Sequence, residues 1–137
     1  MAESRGSGPT LYSAGGIAVG TLIGSLAAAA VMLWLNYRAL GYPRLANKVA
    51  IGSAIVYLII VSLASLVPAT PSAGIGFMAL QTGLAYGATR LLQGRAIDYH
   101  LAQGGAVYSH LKGAFIGLLT GLALLLLLVL AGPTGTV

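Results

Sequence analysis

Cysteine is absent, acidic residues number two, and only 7% of the chain is charged. Without cysteine there are no disulfides, thiolate metal sites or thiol nucleophiles. A soluble domain carries roughly 25% charged residues, and a surface this poor in charge would not stay dissolved. Disordered chains are polar and charged, so disorder is excluded as well. The nine charged residues leave little material for hydrolytic acid–base chemistry. The formal charge is +5, but seven Lys and Arg spread through an apolar chain make no nucleic-acid-binding patch. What is present is hydrophobic: 58% of the 137 residues, with a mean hydropathy of +0.92. These values describe an integral membrane protein of one domain.

A bilayer core needs about 20 mostly apolar residues per helix. Four stretches meet that requirement, at residues 16–35, 49–67, 73–92 and 113–131, and only Arg90 in them is charged. The period-two alternation of barrel strands is missing from runs such as 124–128. No cleavable-signal pattern leads the first stretch, which reads as a retained helix. The expected fold is all-α, a polytopic membrane protein with four transmembrane helices in an up-down bundle of two hairpins. Residues 1–10 read as a flexible polar tail, 11–132 as the transmembrane domain and 133–137 as a short tail.

Arg38, Arg44 and Lys48 lie between spans one and two, and Arg90, Arg95 and Lys112 between spans three and four. The opposite side has only Arg5, offset by Glu3. This positive-inside bias puts both basic loops in the bacterial cytoplasm and both termini outside, and it argues against dual topology. Gly41 and Pro43 separate the first two helices, Pro68 and Pro71 force a tight outer turn, and Ser72 is expected to cap helix three. Helix three should run through Arg95 and Tyr99 to Gly104-Gly105. Helix four should run from about Ala106 to Gly132-Pro133. Tyr12, Trp34, Tyr37, Tyr42, Tyr86, Tyr99 and Tyr108 fall near the interfaces as anchors. Tyr57 lies mid-span and should turn its hydroxyl into the bundle.

Glycine recurs at spacing four. Gly16, Gly20 and Gly24 share one face of helix one, Gly113, Gly117 and Gly121 one face of helix four, and Gly83 and Gly87 one face of helix three. Such faces let backbones approach closely, either inside the bundle or against a partner's helix. Among the few polar residues within spans, Gln81 and Thr82 stand out as interhelical glue or a substrate-contacting pair. Helix three, the least apolar span, is expected to be the most enclosed. Arg38–Gly41 and Arg90–Gly94 suggest a loose repeat of the two hairpins, and shared helix-ending chemistry explains the likeness equally well.

No span core holds an ionisable residue, whereas coupled transporters keep Asp, Glu, His or Arg there. Small multidrug exporters need a membrane-embedded Glu in their first helix, and here the one Glu is Glu3. Small fluoride channels share the helix count, but their dual-topology dimers conflict with the charge bias. Asp98 is expected to pair with Arg95 or Lys112, and His110 is a solvated interfacial histidine. Arg38, Arg44, Lys48, Arg95 and Lys112 form a basic rim for anionic headgroups. No catalytic pair, phosphate loop or metal motif is present in the sequence, so no enzyme activity, cofactor or metal is expected.

The segments Leu11-Tyr12-Ser13, Asn36-Tyr37-Arg38-Ala39-Leu40-Gly41, Leu92-Gln93-Gly94-Arg95 and 104–109 resemble small polytopic bacterial inner-membrane proteins, mostly without assigned function. That resemblance implies location and architecture. In general form the chain is also similar to immunity proteins against membrane-targeting type VI secretion toxins. Those are small, multi-pass and free of catalytic residues. The similarity implies a non-enzymatic binding protein that holds a toxin's transmembrane helix on a glycine face. The competing readings are a homo-oligomeric channel or transporter subunit, using hydroxyls, Gln81 and backbone carbonyls, and an accessory subunit of an envelope complex. Beyond the lipid bilayer, a toxin or another membrane protein is the expected partner. Nucleic acid is not, and the oligomeric state is open.

Overall fold

The computed structural model describes residues 8–131, which form four helices: α1 (Ala14–Ala39), α2 (Pro43–Ala64), α3 (Pro71–Ala102) and α4 (His110–Ala131). The all-helical class and the helix number match the sequence. The expected stop at Gly132-Pro133, the tail over 133–137 and most of the tail over 1–10 lie outside the described residues. By length and composition α1, α2 and α4 are apolar enough to cross a membrane. α3 is the longest helix, but its glutamines and threonines make it less apolar.

Local chemistry sets most helix ends. Ser13 Oγ accepts from Gly16 N at 3.1 Å and caps α1. Thr70, not Ser72, caps α3 by accepting from Ala73 N at 3.3 Å, with Pro71 in the first turn. α3 passes Arg95 and Tyr99 as expected and stops before Gly104, whose φ of +77° suits glycine. α4 starts at His110 rather than Ala106. Residues 106–108 are instead drawn into an extended pairing with Leu11, through Leu11 N to Ala106 O at 3.2 Å and Tyr108 N to Leu11 O at 2.8 Å.

The main departure lies inside α1. Ser25 has φ 70° and ψ 179°, a conformation outside the helical region. There the helix reverses. On a straight helix Tyr12 and Asn36 would stand about 36 Å apart, yet Tyr12 N donates to Asn36 Oδ1 at 2.7 Å. α1 is therefore a helical hairpin, with arms over residues 14–24 (α1a) and 26–39 (α1b). Arms of 11 and 14 residues rise about 16 and 21 Å, short of the ~30 Å hydrocarbon core. The expected first span over 16–35 is thus a re-entrant element, and both of its ends lie beside the α3–α4 loop.

This changes the packing plan. α2, α3 and α4 each pack on α1 and barely touch one another, so the bundle of two hairpins gives way to three helices around a short central wedge. α1, not α3, is the enclosed element: Ile17, Ala28, Ala29, Met32 and Leu33 are buried in it. The two loops do not repeat each other either. Gly41 follows the end of α1, whereas Gly94 is buried within α3.

The glycine faces explain how the wedge is held. α1a runs parallel to α4, with Gly16, Gly20 and Gly24 meshed against Gly113, Gly117 and Gly121. A Cβ on Gly20 would stand 2.6 Å from Gly113 O, and one on Gly24 2.6 Å from Gly117 Cα. No side chain fits, and close backbone approach replaces the hydrophobic drive that lipid removes. Gly83 and Gly87 differ, because a Cβ on either would meet nothing within 4 Å. Gly24→Ala or Gly117→Ala should therefore destabilise the purified protein by at least the ~1–3 kcal/mol of an overpacked core. Gly83→Ala should be neutral or stabilising in the same thermal melt in detergent. Equal melting temperatures for all three variants would contradict the meshed interface.

Candidate functional site

α3 supplies a stripe at spacing four, Gln81, Ala85, Thr89, Gln93 and Ile97, all buried. Residues four apart share one helix face, and this face lies along α1b. Its two glutamines work at the two ends of the wedge. At the tip, Gln81 Oε1 accepts from Leu26 N at 3.1 Å. The chain reversal strips that amide of its helical partner, and an unpaired amide is costly in a membrane interior. Ser25 Oγ makes a weaker contact with Ala27 N at 3.4 Å.

At the base, Asn36 acts as a piece of backbone. Its Oδ1 accepts from Tyr12 N, while its Nδ2 donates to Tyr12 O at 2.8 Å and to Gln93 Oε1 at 2.9 Å. Gln93 Nε2 donates to Leu33 O at 3.0 Å, and Tyr37 OH donates to Leu92 O at 3.1 Å. Asn36 and Gln93 are each 1% exposed. Among the described residues no buried side-chain polar atom lacks a partner. The network closes the hairpin and docks α3 in one stroke. The Tyr12 ring adds a tilted contact with Tyr108, centroids 4.6 Å apart. Burial, and then the neighbouring Tyr108 phenol, hold the Tyr12 phenol above its ordinary pKa, so it stays neutral throughout the physiological range.

The other residues singled out from the sequence are dispersed. Thr82 turns back to its own helix, donating to Met78 O at 2.9 Å, so it does not join Gln81 in one site. Tyr57 is half-buried and packs against the core. In the basic rim, Arg38 lies over Trp34 at 4.9 Å and Lys112 over Tyr108 at 4.3 Å. Arg44, Lys48 and Arg95 are exposed. Asp98 pairs with Arg90 at 3.1 Å, not with Arg95 or Lys112. That exposed pair is worth about 0–1 kcal/mol. His100 reaches Ala106 O at 3.1 Å, and His110 sits against Gly15. Among the described residues no group of three metal-ligating side chains forms.

The site is thus a structural device, a re-entrant hairpin pinned at tip and base by amide side chains. The C-terminal end of α1a and the N-terminal end of α1b meet at its tip, so their opposite dipole ends offset each other. Two variants probe it. Asn36→Leu strands the Tyr12 amide and carbonyl, and each buried unpaired group costs about 1–3 kcal/mol. Chemical denaturation should show a loss in that range or above, with faster amide exchange over residues 10–13. Ser25→Gly relieves a conformation that costs non-glycine residues about 1–3 kcal/mol and should raise the denaturation midpoint. Ser25→Val should lower it. No protein-family model, curated protein or solved structure matches the chain, so any reading of its role rests on this geometry.

Proposed function

We propose that this protein is a non-enzymatic, multi-pass protein of the bacterial inner membrane that binds another membrane helix, in the manner of an immunity protein against a membrane-targeting toxin. The observation that carries the reading is the half-depth of α1. Beyond Ser25 the wedge ends, and α2, α3 and α4 continue with no common partner. Ile59, Leu63, Ile75, Leu80 and the α4 run from Leu125 to Leu130 are all more than half exposed. Gly76 stands at that level, and Gly83 and Gly87 continue the same face of α3 alongside α1b, with nothing within 4 Å of a Cβ on any of them. A bare glycine face gains little from lipid and much from a closely approaching backbone. The glycines of α1 and α4 are spent on each other, so the receiving face moves to α3.

In this placement the loops bearing Arg38, Arg44 and Lys48 and Arg90, Arg95 and Lys112 face the cytoplasm by the positive-inside rule. Residues 10–12 lie beside the second of these loops. The N-terminal approach to α1 therefore also faces the cytoplasm, in place of the outside location read from the sequence. The end of α4 faces outward, and α3 spans because its glutamines are satisfied by α1.

The break at Ser25 favours a second reading, a homo-oligomeric channel or transporter subunit. Discontinuous helices with exposed backbone at the midplane build many transport sites. Here the freed Leu26 amide is capped by Gln81, which weighs for the binding reading.

The natural absence of cysteine makes topology directly testable. Thr10→Cys should react with an impermeant thiol reagent only from the cytoplasmic side, and Leu130→Cys only from the outside; the reverse pattern would overturn the placement. For function, Gly83→Leu with Gly87→Leu should abolish protection of cells expressing the cognate toxin at unchanged protein level. Full protection by that double variant would remove the α3 face as receptor. Solute flux through reconstituted protein would favour the channel reading instead.

A further inference from the structure

A cleft of about 310 Å³ opens between α1b, α2 and α3. It exists because α2 and α3 both rest on α1b without meeting each other. Its floor runs from Leu26 to Leu33, with Val49 to Val56 on one wall and Leu84 to Leu92 on the other. Ser53 is the one hydroxyl-bearing residue lining it. Leu33, Val49 and Leu92 lie at the basic end, and Leu26, Val56 and Leu84 lie near the hairpin tip.

Size selects the occupant. The stretch of α1b from Leu26 to Leu33 rises about 10 Å, most of one leaflet's ~15 Å. That length and the almost wholly apolar lining match an extended hydrocarbon chain. Charge selects the headgroup. Lys48 is four residues before Gly52 on the cleft-facing stripe of α2, and Arg95 is three residues after Leu92 on that of α3. Lys48 therefore stands one residue beyond Val49 and Arg95 about one turn beyond Leu92, both at the basic end and on opposite walls. Both are exposed, and the one acidic side chain nearby, Asp98, is committed to Arg90.

We infer that this cleft is a binding site for one anionic phospholipid of the cytoplasmic leaflet, its acyl chain lying along α1b and its phosphate held between Lys48 and Arg95. Basic pockets between membrane helices on the cytoplasmic side take such headgroups. The inference rests on the membrane placement and is independent of any protein partner.

The test uses the full chain purified in mild detergent. Native mass spectrometry should find one anionic phospholipid retained per chain. After delipidation, phosphatidylglycerol and phosphatidylcholine with identical acyl chains are titrated separately, following bound mass and melting temperature. Phosphatidylglycerol should bind at least tenfold more tightly. The K48Q/R95Q double variant should weaken it roughly 30-fold, the equivalent of about 2 kcal/mol for two basic contacts. Ala88→Phe, which fills the cleft and keeps both charges, should abolish binding, whereas Lys112→Gln should leave it unchanged. Equal affinity for the two lipids, or undiminished binding by K48Q/R95Q or Ala88→Phe, would overturn the proposal. So would equal stabilisation by inorganic phosphate, or a second copy of the chain bound in place of the lipid. None of these readouts depends on toxin protection.

Discussion

The reversal at Ser25, held shut where Asn36 meets the Tyr12 backbone, is the constraint on which the other contacts depend. It turns a segment long enough to cross a bilayer into two short arms. Those arms free backbone groups inside the fold, and the three buried amide side chains have a place in that account, whereas Thr21 and Thr89 bond back to their own helices. Gln81 serves the tip, Asn36 and Gln93 serve the base, and Tyr37 ties the second arm to α3. α3 is less apolar than its neighbours for this reason. Its polar stripe is matched to α1b.

The amide network and the glycine mesh divide the work. Hydrogen bonds inside membranes contribute modestly, because an unfolded chain in lipid also finds partners. Their value here is directional, since a misplaced arm leaves amides unpaired. The glycine mesh adds contact area without direction. Together they fix a wedge that lipid alone would not assemble.

Much of the fold was legible in the sequence, and the part that was not has a physical cause. Proline and glycine punctuation located the ends of α1, α2 and α3 because those residues restrict or free φ locally. Glycine at spacing four announced close helix contact, and α1 and α4 supplied each other's partner. Hydropathy, however, reports composition and carries no direction, so an apolar run of spanning length gave no hint that it turns back. The one local sign was the Gly24-Ser25 pair, a combination at which helices kink sharply. Asn36 and Gln93 were visible only as members of interfacial motifs. Their role requires two segments 57 residues apart to be neighbours, which no local pattern encodes. The pairing of Leu11 with residues 106–108 likewise removed the first turn expected of α4.

The half-depth of α1 also bears on the order in which the chain is made. The Asn36–Tyr12 pair closes between the two ends of α1, but the other groups that hold the wedge come later in the chain. Gln81, Gln93 and the glycines of α4 leave the ribosome after α1 and α2. A nascent chain that ends before residue 81 thus carries a segment long and apolar enough to span and almost nothing that keeps it folded back. α1 therefore gains its full set of contacts only after α4 has been made.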